Sequence, residues 1–162
     1  MTGSERDRRS AAATRYRPDR VRCLLIAEAP PAALDRYFYF EDVREQDSLF
    51  RHVAEGVLGH QPDRAGKATA LAALRDLGYF LIDVSEDPVR SGSDVSACIP
   101  GLVERASALD PDKVILIKAN VFDLAYAPLV AAGLPVVRVR MPFPGSGRQR
   151  EFMTAFAEAL SS

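Results

Sequence analysis

Polar residues follow three apolar segments of the chain, and these are the residues best placed to do chemistry. Glu28 follows the apolar run 21–27, Asp83 lies near the end of the run 79–84, and Asn120 comes just after a third such run. A carboxylate at the mouth of an apolar cleft is a candidate general base, because partial burial raises its pKa toward neutral. Glu28 and Asp83 are therefore the first candidates for a site.

A glycine-rich turn near the C-terminus suggests a different chemistry. Gly147 and Ser146 stand just before a helical pattern, with Arg148 and Arg150 beside them. The free N–H groups at the start of a helix bind anions well, and arginines add charge-assisted hydrogen bonds. Ser146, Gly147, Arg148 and Arg150 are thus candidate phosphate-binding residues. The alternative is an ordinary turn followed by solvated arginines.

The candidate residues are positioned by an alternation of strands and helices. Pro30 and Pro31 end the first strand, because proline cannot donate a ladder hydrogen bond. Strands alternating with helices of ten to fifteen residues are typical of a parallel sheet covered on both faces. The pattern predicts a three-layer α/β/α sandwich with a central four-stranded parallel sheet. The predicted strands cover residues 21–27, 79–84, 113–118 and 136–140.

Length and charge predict one domain and a distinct N-terminal segment. A chain of 162 residues suits a single domain. Residues 1–20 are rich in Arg, Ser and Ala without apolar periodicity, which favours a disordered basic tail ahead of a domain at residues 21–162. The net charge of the whole chain is −1. Overall charge therefore gives no argument for nucleic-acid binding.

Several classes of protein are disfavoured by what the sequence lacks. It has no P-loop pattern and no Gly-x-Gly-x-x-Gly after the first strand, and only two histidines and two cysteines. We therefore expect no bound cofactor, no metal site and no hydrolase triad. No apolar run is long enough to span a membrane, and the N-terminus has no signal-peptide core. We expect a cytoplasmic protein without membrane contact, with a monomer favoured.

Two short motifs resemble those of the uracil-DNA glycosylase superfamily. Ala27-Glu28-Ala29-Pro30-Pro31 stands where that family has a Gly-Glu-x-Pro-Gly motif after its first strand. Met141-Pro142-Phe143-Pro144 stands where it has His-Pro-Ser-Pro after its fourth strand. The resemblance covers residues 21–160 by order of elements. It implies a uracil-DNA glycosylase-like fold, DNA as partner, and a DNA-repair hydrolase that releases a damaged or modified base.

The resemblance also implies roles for individual residues. Glu28 would orient the attacking water as the catalytic residue. Asp83 would read the edge of the extruded base, and Phe40 or its neighbour Tyr39 would stack on it. Asn120 completes the set of candidate base-binding residues. The glycine-rich turn would hold flanking phosphates.

Departures from the family pattern leave other functions open. Met141 replaces a histidine that supports the departing base, and Asp83 replaces an asparagine that can both donate and accept hydrogen bonds. The chain could therefore be a catalytically inactive nucleic-acid or nucleotide-binding module on the same fold. It could also be a hydrolase for a small molecule.

Overall fold

The computed structural model describes residues 2–33, 36–43, 47–90, 93–145 and 147–162. These residues form a mixed α/β fold with a parallel sheet, as the alternating pattern predicts. The strands are β1 (Cys23–Ala27), β2 (Tyr79–Asp83) and β3 (Lys113–Leu116). The helices are α1 (Thr2–Arg15), α2 (Ser48–Leu58), α3 (Lys67–Asp76), α4 (Ile99–Leu109), α5 (Ala119–Ala131) and α6 (Gln149–Ser161).

Strand β1 is the centre of the sheet, whose order is β2-β1-β3. Cys23 lies opposite Tyr79 on one side and Lys113 on the other, and both pairings are parallel. All five residues of β1 are buried, which agrees with an apolar run lying between two neighbours. Because the strands are parallel, Ala27, Asp83 and Leu116 end at the same edge.

The expected fourth strand, residues 136–140, is not a strand among the described residues. The segment makes one bridge, between Val136 and Val114 of β3. It then leaves the sheet, and the Arg140 guanidinium binds both carboxylate oxygens of Asp123 on α5, each over 2.9 Å. A segment at the edge of a sheet can form ladder hydrogen bonds on one side only, so fewer hydrogen bonds hold it in the sheet than hold a central strand.

The sequence predicts a disordered tail at residues 1–20, whereas in the structure residues 2–15 form helix α1. Arg9 on this helix is buried, and Tyr16 just beyond it is 5% exposed. The Tyr16 ring stacks on the ring of Tyr39 with centroids 6.3 Å apart. The sequence pattern does not predict this helix because it has no apolar stripe. Two long side chains, those of Arg9 and Tyr16, anchor it instead.

The helix ends follow local sequence signals more closely. Asp47 caps α2, and its carboxylate accepts a hydrogen bond from the Phe50 N–H over 2.5 Å. Gly59 ends α2 with a φ of +87°, a conformation that glycine adopts without strain. An acidic N-cap and a glycine just past the last turn are ordinary signals of helix boundaries. Helix α2 packs against α3 and α6, and α4 packs against α5.

Candidate functional site

The centre of the candidate site is the Glu28 carboxylate at the carboxyl end of β1. Lys118 Nζ donates to Glu28 Oε1 over 2.7 Å, and Asn120 Nδ2 donates to Oε2. The Glu28 side chain is 19% exposed, so solvent reaches part of it. Each carboxylate oxygen has a second lone-pair site, so Glu28 can still accept a hydrogen bond from a water or a ligand.

Lys118 reaches Glu28 from an unusual backbone conformation. It follows β3 directly and has φ of +86° and ψ of 136°. Residues with side chains rarely adopt this region, and such strain costs about 1–3 kcal/mol. Strained positions of this kind cluster at functional sites. The strain at Lys118 therefore supports a site at this edge of the sheet.

Asn120 lies in the first turn of α5 and has one polar atom without a partner. Its amide nitrogen binds Glu28, and its Oδ1 is buried with no hydrogen-bond partner among the described residues. A buried acceptor without a donor costs about 1–3 kcal/mol. Asn120 Oδ1 is thus a buried acceptor beside Glu28 without a donor among the described residues.

Asp83 lies at the same edge, in register with Ala27. Burial raises the pKa of its carboxyl to about 7, and the charges of Asp47 and Glu28 add to this effect. The guanidinium groups of Arg105 and Arg9 oppose it. Near neutral pH Asp83 is therefore present in both forms, and its protonated form can donate a hydrogen bond as an asparagine does.

A cavity of about 330 Å³ lies beside β2, between α1 and α4. Asp83 lines it together with Tyr37, whereas Glu28 is not among its lining residues. The register of β1 and β2 brings Glu28 and Asp83 to one edge, with the Ser85 N–H bound to the Glu28 carbonyl over 2.9 Å. The two carboxyl groups are thus neighbours at the sheet edge, but they do not share this cavity.

Tyr39 and Phe40, the aromatic residues expected to stack on a base, differ in burial. Tyr39 is 3% exposed, and its hydroxyl oxygen accepts a hydrogen bond from the Leu81 N–H over 2.6 Å. Phe40 is half-buried and lines a separate cavity, with the Arg8 guanidinium 5.4 Å from its ring centroid. The structure therefore does not bring Phe40 or Tyr39 into the Asp83 cavity. Tyr37 is the member of this segment that lines it.

The glycine-rich turn offers less to an anion than expected. Gly147 has a φ of +76°, and α6 begins at Gln149 with Arg148 as its N-cap. Arg148 donates to the Glu151 carboxylate over 2.5 Å, so its charge is partly neutralised. Arg150 is exposed, and Ser146 lies outside the described residues. Nothing in the described geometry connects these residues to Glu28.

Met141, which the resemblance sets in place of a histidine, is 1% exposed. Its side chain belongs to the hydrophobic core. Met141 is therefore a core residue, and its position does not support direct contact with a ligand.

Lys67 is a buried charged residue that the sequence analysis missed. It is fully buried, and its Nζ donates to the Tyr37 carbonyl over 3.1 Å. Burial lowers the pKa of Lys67 to about 8, and the charge of Asp47 opposes that shift. The spacing contained a signal, because Lys67 lies one turn before Ala70 and Leu71 on the apolar face of α3.

Arg9 was missed for another reason. It is 4% exposed and lines the cavity beside Asp83. Its position on α1 could not be found because residues 1–20 carry no apolar periodicity.

Comparison of the chain with protein-family models, with curated proteins and with solved structures finds no match. Within the part of the chain that the structure describes, no three His, Cys, Asp or Glu residues are grouped so as to hold a metal ion. In the same residues, no helix has the length and apolar character needed to cross a membrane. The site must therefore be interpreted from its own geometry.

Proposed function

We propose that the protein is a divergent uracil-DNA glycosylase-like hydrolase that cleaves the N-glycosidic bond of a damaged or modified base. The observation that carries the proposal is the Glu28 carboxylate, held at the end of β1 by Lys118 and Asn120. A fixed, partly exposed carboxylate at the carboxyl edge of a parallel sheet is suited to position a water for attack.

Each residue of the edge has a proposed part in this reaction. Glu28 orients the water toward the anomeric carbon of the sugar. Asn120 Oδ1, buried without a partner among the described residues, accepts a hydrogen bond from the base or from the water. Asp83 reads the polar edge of the base, accepting a hydrogen bond when ionised and donating one when protonated. Lys118, the cation paired with Glu28, stabilises a base that departs as an anion.

The test is base release by the full chain. Oligonucleotides carrying uracil, hypoxanthine, xanthine or modified cytosines are incubated with the protein, and abasic sites are revealed by alkaline cleavage. We expect release from at least one substrate and a loss of about 100-fold or more in Glu28→Gln, the scale of a missing general base.

The matched control is Asp123→Asn, because Asp123 lies on α5 and its carboxylate is also paired with a basic side chain, that of Arg140. This variant should keep full activity. Absence of release from every substrate, or equal activity of Glu28→Gln and wild type, would contradict the proposal.

A second function is favoured by Met141 and Tyr39. Met141 is buried and cannot donate a hydrogen bond to a departing base, and the hydroxyl of Tyr39 is bound inside the protein. These observations favour a binding module on the same fold that lacks catalysis. Such a module should bind DNA with an affinity that decreases as salt rises, because phosphate contacts release counterions. Absence of binding at low salt would contradict it.

A further inference from the structure

The cavity between α1, β2 and α4 has features of a ligand site in its own right. Its volume of about 330 Å³ lies in the range of small-molecule pockets. Strand β2 is an edge of the sheet, so its free side forms one wall. Phe80 and Ile82 supply apolar surface on that wall. Helix α1 closes the opposite side, and the site therefore exists only because the N-terminal segment is helical.

Among the described residues that line this cavity, Arg9 is a buried one with a side-chain donor that has no partner. Its Nη2 donates to the Glu86 carbonyl over 3.1 Å and lies 3.5 Å from the Asp87 carboxylate. Its Nη1 is buried and has no hydrogen-bond partner among the described residues. A buried guanidinium N–H without an acceptor is costly, because both its charge and its donor have lost water. A ligand oxygen that reaches Nη1 from the cavity would remove that cost.

The charges around the cavity favour an anion. The basic residues that line it are Arg6, Arg9, Arg17 and Arg105, and the acidic ones are Asp83 and Glu86. Arg6 and Arg9 share the Asp87 carboxylate, and Arg105 Nε lies 3.8 Å from a Glu86 carboxylate oxygen, so the excess of positive charge is small and the preference for an anion depends on the unpartnered donor of Arg9. Arginine binds carboxylate and phosphate oxygens with a fixed planar set of donors. At the strand end, the Asp83 carboxyl offers a polar group to the other end of a ligand.

We propose that this cavity binds a small organic anion with a flat apolar body, whose phosphate or carboxylate oxygen accepts a hydrogen bond from Arg9 Nη1. The body packs against Phe80 and Ile82, and its polar edge faces Asp83. The cavity is too small for duplex DNA to enter. This inference shares Asp83 with the proposed function but does not depend on Glu28, which does not line the cavity.

The experiment is calorimetric titration of the full-length protein with two panels of flat anions. One panel holds nucleoside monophosphates, and the other holds orotate and benzoate. Each anion is paired with its uncharged counterpart, the nucleoside or the methyl ester. We expect at least one anion to bind, and its uncharged counterpart to bind about ten- to hundredfold more weakly, the scale of a charged hydrogen bond. The panel that binds identifies phosphate or carboxylate as the anionic group.

Arg9→Gln tests the residue that carries the inference, because it removes the charge and the planar fork. The matched control is Arg8→Gln, its neighbour on α1, which lies over Phe40 in another cavity. We expect Arg9→Gln to weaken binding about ten- to hundredfold and Arg8→Gln to leave it unchanged. Because Arg9→Gln could loosen α1, Ala13→Leu serves as a second variant. It keeps a good helix former and should block binding by filling the cavity that Ala13 lines.

The results separate this inference from the proposed function. Glu28→Gln should bind the anion as wild type does, whether or not it affects base release. The inference is overturned if no anion in either panel binds, or if the anions bind no more tightly than their uncharged counterparts. It is also overturned if a folded Arg9→Gln or Ala13→Leu binds as tightly as wild type.

Discussion

The Glu28 carboxylate and the Lys118 ammonium are 90 residues apart in the chain and lie 2.7 Å apart at the ends of β1 and β3. Lys118 makes this contact from a backbone conformation with φ of +86°. An ion pair that is 38% exposed on one side contributes little to stability, about 0–1 kcal/mol. The strained backbone is therefore not offset by the ion pair alone, which suggests that this geometry serves the site.

The strain at Lys118 can be measured by comparing two variants that both remove the ion pair. Lys118→Gly should be about 1 kcal/mol more stable than Lys118→Ala, because glycine adopts positive φ without strain. Urea unfolding measures the difference. In the control, Ala127→Gly within α5 should instead lower the free energy of unfolding by about 1 kcal/mol. If Lys118→Ala is the more stable variant, the backbone is not strained there.

Asp83 should make the protein less stable as pH rises. Burial raises the pKa of its carboxyl to about 7 in the folded state, from an ordinary value of 3.8. Between these values the folded state binds more protons than the unfolded state, so the free energy of unfolding falls with rising pH. The loss of stability that Asp83 causes is absent below about pH 4 and complete above about pH 7.

Asp83→Asn should remove this pH dependence. Relative to wild type, the variant should gain on the order of 4 kcal/mol in stability between pH 4 and pH 8. Chemical unfolding at a series of pH values measures the gain. The exposed carboxylate of Asp123 provides the control variant, Asp123→Asn, which should show no such gain. Parallel stability curves for Asp83→Asn and wild type would show that Asp83 is not desolvated.

Lys67 should have the opposite pH dependence, at alkaline pH. Burial lowers the pKa of its ammonium to about 8, from an ordinary value of 10.5. Between these values the unfolded state binds more protons, so Lys67 makes the free energy of unfolding rise with pH. Lys67→Met should lack this rise. Subtracting the free energy of unfolding of Lys67→Met from that of wild type at each pH isolates the effect of Lys67. A difference that does not change from pH 8 to pH 10 would contradict the buried charge.

Tyr39 should matter through its hydroxyl and not through stacking on a ligand. Tyr39→Phe leaves the Leu81 N–H without its acceptor, and an unsatisfied buried donor costs about 1–3 kcal/mol. Thermal unfolding of Tyr39→Phe measures this loss of stability. Tyr126→Phe, at a half-buried tyrosine on α5, provides the control and should change stability less. Equal stability of Tyr39→Phe and wild type would mean that the Leu81 N–H finds another partner.

The outline of the fold follows from local patterns. The apolar runs that predict β1, β2 and β3 form those strands, and Gly59 ends α2 as its position predicts. Because parallel strands share a carboxyl edge, the sequence also brings Glu28, Asp83 and Asn120 to one side of the sheet. These features need only information from neighbouring residues and the rule that parallel strands align.

Other features depend on contacts between distant parts of the chain. The segment at 136–140 has the residue types of a strand but makes a single bridge, and Arg140 at its end pairs with Asp123 on α5. Helix α1 has no apolar stripe, and two side chains anchor it, the buried guanidinium of Arg9 and the ring of Tyr16. Residue types alone carry no signal for either outcome.

The sequence by itself determined the three strands of the sheet, the ends of α2 and the edge at which Glu28 and Asp83 stand, because each depends on periodicity or on a local hydrogen bond. Only the tertiary structure decided that Lys118 would pair with Glu28 and that Arg9 would be buried beside Asp83. It also decided which aromatic residue would line the cavity. Burial and charge pairing depend on what packs nearby, and that is a property of the folded chain.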